Sequence, residues 1–205
     1  SKGVKAIVIA CNTATAVCAE SLRAELSMPV VGIEPAVLPG ARTTRTGIIG
    51  VMATTKTLAS AKYRHLKSIA PKEVRIIDCP CPGLMDCVEA GEFRTPHTMA
   101  LLREYVEPLV EAGADTLVLG CTHYPFLSDA IRLNAGPGIR LIDPAPAVAR
   151  QLKRRLDEPG LLNDTKKAPA RIFCTTDANE ARERILRLLW TDNAVLQKLD
   201  GRVRP

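Results

Sequence analysis

The sequence predicts an α/β fold of two pseudo-symmetric lobes, with mainly parallel sheets flanked by helices and an active site in the cleft between them. Three observations carry that expectation. Short β-branched runs alternate with helical patterns from end to end, the arrangement that crossover helices impose on parallel strands. An apolar run ending on a cysteine, followed at once by small polar residues, occurs twice. The first copy is Ala6-Ile7-Val8-Ile9-Ala10-Cys11-Asn12-Thr13-Ala14-Thr15, and the second is Thr116-Leu117-Val118-Leu119-Gly120-Cys121-Thr122-His123-Tyr124-Pro125. Finally, two junctions, Glu34-Pro35…Pro39-Gly40 and Asp143-Pro144-Ala145-Pro146, divide the chain. They set off a lobe of residues 34–145, inserted into a lobe built from 1–33 and 146–205, so that each lobe contributes one cysteine turn.

In chain order, the first strand is Val4–Ala10. The helix after Cys11 carries Ala14, Val17, Cys18 and Leu22 at i, i+3, i+4 and i+8, one apolar stripe. Strands Pro29–Ile33, Thr46–Met52 and Glu73–Cys79 follow, separated by helical patterns. Thr95-Pro96 supplies an N-cap and a first-turn proline for a helix whose inner face is Leu102, Tyr105, Val106 and Leu109. Pro108 is expected to kink that helix or start a new turn. Strands Asp115–Gly120, Ile139–Asp143 and Ala170–Cys174 come next. The last helix opens on Asp177-x-x-Glu180, a capping-box-like pair, and is expected to bury Ile185, Leu188 and Leu189.

At 205 residues, 46% hydrophobic and 24% charged, the chain has the composition of a soluble globular protein. No apolar run approaches the roughly 18 residues of a membrane span. The first residues, Ser1-Lys2-Gly3-Val4-Lys5, are expected to lead straight into a strand, with no signal peptide expected. Seven cysteines, an odd number in no disulfide or zinc spacing, point to a reducing cytoplasm. Cys79-Pro80-Cys81 is too tight for a C-x₂-C metal pair, so no metal is expected, and Cys18 and Cys174 read as small core residues. The net charge of +6 gathers in Lys153-Arg154-Arg155, Lys166-Lys167, Arg182 to Arg187 and Arg202-Val203-Arg204. Acidic residues interrupt most of these groups, and at 3% aromatic the chain lacks stacking platforms, so a nucleic-acid partner is not expected.

Two thiols at strand carboxyl ends stand where open α/β sheets bind ligands. A matched pair of acid/base groups suits a reaction whose two directions are mirror images, the racemisation of a carbon acid. One sulfur must be ionised to take the proton and the other protonated to give one, and a cysteine pKa near 8.5 can be tuned either way. Both cysteines are expected at helix starts, where the macrodipole favours the thiolate. Asn12, Thr13, Thr122 and His123 follow the sulfurs and can bind a carboxylate, or simply cap helices. His123 is two residues from Cys121, whereas His65 and His97 have no such neighbour and should be exposed. A thiol redox role is disfavoured because neither cysteine has a C-x-x-C partner.

Cys11-Asn12-Thr13-Ala14-Thr15-Ala16 and Gly120-Cys121-Thr122-His123-Tyr124-Pro125 closely resemble the two signature motifs of bacterial glutamate racemases. The resemblance extends to Val31-Gly32-Ile33-Glu34-Pro35-Ala36, Gly50-Val51-Met52-Ala53-Thr54 and Cys81-Pro82-Gly83-Leu84 with Val88-Glu89. It implies a cofactor-independent enzyme that makes D-glutamate for peptidoglycan. Cys11 would exchange the proton with the D-enantiomer and Cys121 with the L-enantiomer. Glu89 matches the acidic partner of the second cysteine, His123 its histidine, and Asn12, Thr13 and Thr122 the substrate-binding positions. The resemblance is compatible with a homodimer and with activation by a cell-wall precursor. Family members also begin with a strand ending in an Asp-Ser-Gly-type turn and later carry a Pro-Tyr-Gly segment. Neither run stands among the 205 residues, as expected either of a piece of a longer protein or of a shortened, impaired form, and without them a sheet edge is expected to be uncovered. The alternative is therefore a catalytically silent binding module on the same fold.

Overall fold

A computed structural model of the chain describes residues 3–163, 170–190 and 194–199. Two of the basic groups, Lys166-Lys167 and Arg202-Val203-Arg204, lie outside the described residues. The elements run β1 (Ile7–Ile9), α1 (Asn12–Glu25), β2 (Val30–Gly32), α2 (Val37–Thr43), β3 (Ile48–Ala53), α3 (Thr55–Leu58) and α4 (Ala61–Ser68). They continue with β4 (Arg75–Pro80), α5 (Leu84–Ala90), α6 (Pro96–Glu111), β5 (Thr116–Leu119), a 3₁₀ turn (Tyr124–Leu127) and α7 (Ser128–Ala135). Last come β6 (Arg140–Ile142), α8 (Ala145–Asp157), β7 (Phe173–Thr175), α9 (Glu180–Leu189) and β8 (Leu196–Lys198). Every strand pairing among the described residues is parallel, in three sheets: β1-β2, β4-β3-β5-β6 and β7-β8.

The four-stranded sheet is covered on both faces, and the alternation of side chains along its strands sorts the core into two layers. Met52, Leu117 and Leu119 point to one side, against Leu84 and Val88 of α5, Leu102, Val106 and Leu109 of α6, and Ile131 of α7. Ile49, Val51 and Val118 point to the other, against Val37 and Ala41 of α2 and Tyr63 and Leu66 of α4. Each fully buried Leu, Ile or Val of this kind contributes about 1.5–3 kcal/mol. The order β4-β3-β5-β6 means that the chain leaves β3 toward β4 and then returns to β3's other side with β5. Such a reversal opens a crevice at the carboxyl ends of β3 and β5, because the flanking loops there diverge to opposite faces. Thr54 and Cys121 stand at that crevice.

The predicted strands are all present, most of them shorter than expected; β1, for example, is three residues long and Val4 before it is 52% exposed. Strand β8 was not anticipated, since a three-residue run acquires strand character only from its partner β7. Helix α6 has the expected Thr95 cap and buries Leu102, Val106 and Leu109, but it runs on through Pro108 without ending.

Helix α1 differs from its expected stripe: Val17 is 79% exposed, and the buried face is Asn12, Thr15 and Ala19. The reason is polar. Thr15 Oγ1 donates to the Ile9 carbonyl (3.1 Å) and accepts from Ile33 N–H (3.1 Å), fastening the helix to the ends of β1 and β2. Apolar periodicity cannot reveal a face buried by hydrogen bonds. Helix α9 is capped by Asn179, which accepts from Arg182 N–H, rather than by Asp177. It buries no residue fully, and Leu188 is 57% exposed, because this amphipathic helix rests on the molecule along a narrow contact. Cys174 is exposed and Cys18 only half-buried, its thiol turned back onto the Ala14 carbonyl (3.2 Å), so neither is a core residue. His65 and His97 are exposed as expected. Among the described residues no helix is long and apolar enough to cross a membrane.

Candidate active site

Cys11 and Cys121 line the same cleft, a space of about 780 Å³. Cys11 is the N-cap of α1 and exposed, as a strand-to-helix turn on an α/β edge dictates. Cys121 follows β5 and is 8% exposed. It does not start an α-helix: His123 precedes the short 3₁₀ turn, and α7 begins only at Ser128. The expected macrodipole effect on Cys121 is therefore absent. Burial pushes its thiol above the ordinary range, and the charge of Cys11 across the cleft acts in the same sense. The backbone N–H groups of His123, Thr122 and Tyr124 turn toward the sulfur and oppose that rise.

The two turns are fastened to each other reciprocally. Asn12, the residue after Cys11, donates through Nδ2 to the carbonyl of Gly120, the residue before Cys121 (2.9 Å). Thr122, the residue after Cys121, donates through Oγ1 to the carbonyl of Ala10, the residue before Cys11 (2.5 Å). Side chains that the sequence offered as carboxylate ligands thus hold the two sulfurs' backbones together. Gly120 has no side chain for a steric reason: a Cβ there would lie 2.9 Å from the Met52 carbonyl oxygen and 2.8 Å from Ala53 Cβ. Asn12 is 6% exposed, and its Oδ1 is a buried acceptor with no partner among the described residues, in a residue that lines the cleft. Buried polar atoms left this way cost about 1–3 kcal/mol unless something else donates to them.

A relay leads away from Cys121. His123 Nδ1 is 3.7 Å from its sulfur, and His123 Nε2 is 2.7 Å from Glu89 Oε1. Glu89 is held below the usual carboxylate range, first by the hydrogen bond from His123 and further by the charges of His123 and Arg182. An ionised Glu89 only accepts, so Nε2 carries the proton, and in the neutral ring Nδ1 is then left as the acceptor for the thiol. Arg182 Nη1 of α9 pairs with the other oxygen, Glu89 Oε2.

On the opposite wall a hydroxyl group cluster forms at the end of β3. Thr13 Oγ1 lies 3.4 Å from Thr54 Oγ1 and 3.2 Å from Thr57 Oγ1, and Thr54 donates to Thr57 Oγ1 (3.0 Å). Thr54 and Thr57 were not singled out from the sequence as site residues. Their signal is the run Thr54-Thr55-Lys56-Thr57 directly after a strand. Cys81, at the end of β4, also lines the cleft. Its hydrogen bond with Cys79 (Sγ to Sγ 3.7 Å), with burial behind it, pushes this thiol far up, so it stays protonated. Thus Cys11, Asn12, Thr13, Cys121, Thr122 and His123 all line one cleft, while Glu89 joins them from α5 through His123.

Residues 1–152 match the Asp/Glu/Hydantoin racemase family. The chain is 47% identical over 195 residues to a glutamate racemase of Ectopseudomonas mendocina, covering 95% of this chain and 74% of that one. Among solved structures, a Bacillus anthracis glutamate racemase isoform, RacE1, superposes with a TM-score of 0.81 at 32% identity, covering 96% of this chain and 74% of the other. Escherichia coli glutamate racemase, in complex with L-glutamate and the activator UDP-MurNAc-ala, superposes with a TM-score of 0.83 at 30% identity and the same two coverages.

Proposed function

Because the chain belongs to the Asp/Glu/hydantoin racemase family, we propose that it interconverts L- and D-glutamate by direct proton transfer between the α-carbon and two cysteines, with no cofactor. The observation that carries the reading is the placement of Cys11 and Cys121 on one cleft, with a His123–Glu89 relay behind Cys121 alone. Starting from D-glutamate, the Cys11 thiolate takes the α-proton and becomes a thiol. The Cys121 thiol returns a proton to the opposite face and becomes a thiolate. From L-glutamate the cycle runs backward: the Cys121 thiolate, its own proton first passed to His123 braced by ionised Glu89, takes the α-proton, and the Cys11 thiol returns a proton to the opposite face and becomes a thiolate. The buried, thiol-favouring setting of Cys121 suits it as the resting donor.

The polar groups divide by charge. A substrate ammonium donates, and Asn12 Oδ1 is a buried acceptor without a partner among the described residues. The substrate carboxylates accept, and the Thr13–Thr57 hydroxyl pair, which keeps one proton uncommitted, supplies a donor, whereas the protons of Thr54 and Thr122 are already given to Thr57 and to the Ala10 carbonyl. The intact relay favours catalysis over a silent binding module. The two lobes are 34–145 and the remainder, and the product D-glutamate serves peptidoglycan. UDP-MurNAc-ala, an activator of the E. coli relative, makes a cell-wall precursor the regulator to examine, and self-association as a homodimer belongs to the same reading. With all seven cysteines free, the cytoplasm is the compartment that fits.

The test is a racemisation assay by circular dichroism, starting separately from each enantiomer. Both reactions should decay to the same zero-ellipticity end point, with deuterium from D₂O entering the α-position. Purified, folded protein that leaves both enantiomers unchanged would overturn the proposal.

A further inference from the structure

We propose that Arg182 is a positioning residue for the Cys121 half of the reaction: by holding one oxygen of Glu89, it keeps the other aimed at His123 and, through the ring, His123 aimed at the sulfur. The inference rests on the racemase reading above and concerns how that site is assembled. A glutamate carboxyl rotates freely about its last torsion, so a single bond to His123 leaves its plane loose. A guanidinium on the second oxygen fixes that plane and stays charged at every working pH. The contact chain runs from Cys121 Sγ to His123 Nδ1 at 3.7 Å, from His123 Nε2 to Glu89 Oε1 at 2.7 Å, and from Glu89 Oε2 to Arg182 Nη1.

The way α9 reaches the site supports a built arrangement. Gly91 closes α5 with φ +77, two residues after Glu89. A Cβ on Gly91 would lie 2.9 Å from Leu188 Cδ2 and 3.7 Å from Ile185 Cδ1. The bare backbone at Gly91 thus seats α9, and Arg182, one turn before Ile185, comes to Glu89. Asn179 Oδ1 accepts from Arg182 N–H at 3.0 Å, and Asp177 Oδ2 lies 3.9 Å from Arg182 Nε, steadying the guanidinium from outside. The groups facing Glu89 are thus His123 from the turn after β5 and Arg182 from α9, with Asp177 behind Arg182 and Asp86 on α5 itself. Cys121 and Cys11 lie beyond His123.

Removing Arg182 also removes a positive charge, so Glu89 would be protonated more readily and would lose its acceptor role at higher pH. Both partners are nearly half exposed, at 47% and 40%, which keeps the effect modest. In the full-length protein, Arg182→Gln should lower kcat about tenfold with KM little changed, and move the acid limb of the pH–rate profile upward by about half a unit. Arg182→Lys should restore the limb. In a Glu89→Gln background, Arg182→Gln should cause no further loss. The Glu89 carboxyl, followed by ¹³C NMR, should titrate at higher pH in Arg182→Gln than in wild type, whatever the turnover. An unchanged limb and carboxyl titration, or an equal loss in the Glu89→Gln background, would overturn the inference. A wild-type protein that fails to racemise glutamate would instead overturn the functional reading, and the carboxyl titration would still decide the role of Arg182.

Discussion

Cys11 and Cys121 end equivalent parallel strands, and each is followed by a side chain that donates to the backbone just ahead of the other. In everything else the two sites diverge. Cys11 is an exposed helix N-cap, whereas Cys121 is buried, ringed by three backbone N–H groups and backed by His123 and Glu89. A reaction symmetric in its substrates is thus assigned to two chemically different thiols. The lesson is that the strand-to-turn pattern decides where a sulfur stands, while its proton affinity is set by which elements close over it.

The strongest way to break the comparison is to remove each sulfur. Cys11→Ala and Cys121→Ala should each lower racemisation by about 10³-fold or more, because one remaining base cannot return a proton to the opposite face. A single variant that retained substantial turnover would show that the pair does not act as a pair. His123→Asn should be milder, about 10²-fold in kcat with KM little altered, since it removes a proton acceptor and leaves substrate contacts standing. A change confined to KM would make His123 a binding group instead.

The shared fastening offers a gentler probe. Asn12→Ala removes the 2.9 Å bond to Gly120 and should cost about 1 kcal/mol in urea denaturation, with roughly tenfold lower turnover as the turns separate. Unaltered stability would mean that the reciprocal bonds do not hold the turns.

The smallest effects lie in the pH dependence of stability, where Cys121 and Glu89 have opposite signs. Cys121 is raised in the folded state, so its contribution is complete below the ordinary thiol pKa and is lost as pH rises through the folded value. Glu89 is lowered, so its contribution is present above the ordinary carboxylate pKa and is lost as pH falls through the folded value. Thermal denaturation across the alkaline range should therefore fall less steeply for Cys121→Ser than for wild type, and the acid range should be flatter for Glu89→Gln. Parallel slopes in wild type and Cys121→Ser would remove burial as a factor in the Cys121 ionisation.

By itself, the sequence determined the α/β class and the run of parallel strands, because β-branched runs such as Ile7-Val8-Ile9 and Thr116-Leu117-Val118-Leu119 carry their conformational preference locally. It also put a cysteine directly after two of those strands, and the motifs around them carried the likeness to glutamate racemases. Glu89 came from that likeness alone, since nothing local marks one glutamate among the charged residues of an exposed helix face. Thr54 and Thr57 were not singled out as site residues, since nothing local separates them from other hydroxyl residues that follow a strand. The buried polar face of α1 was illegible because Thr15 is buried by bonds to Ile9 and Ile33, and hydropathy does not record hydrogen bonds. Only the tertiary structure decided that Cys121 is buried rather than held at a helix start, and that Arg182, 93 residues from Glu89 in the chain, completes its carboxylate. The physical reason is range: strand and turn preferences act over a few residues, whereas burial and charge pairing depend on which distant helix comes to rest against the site.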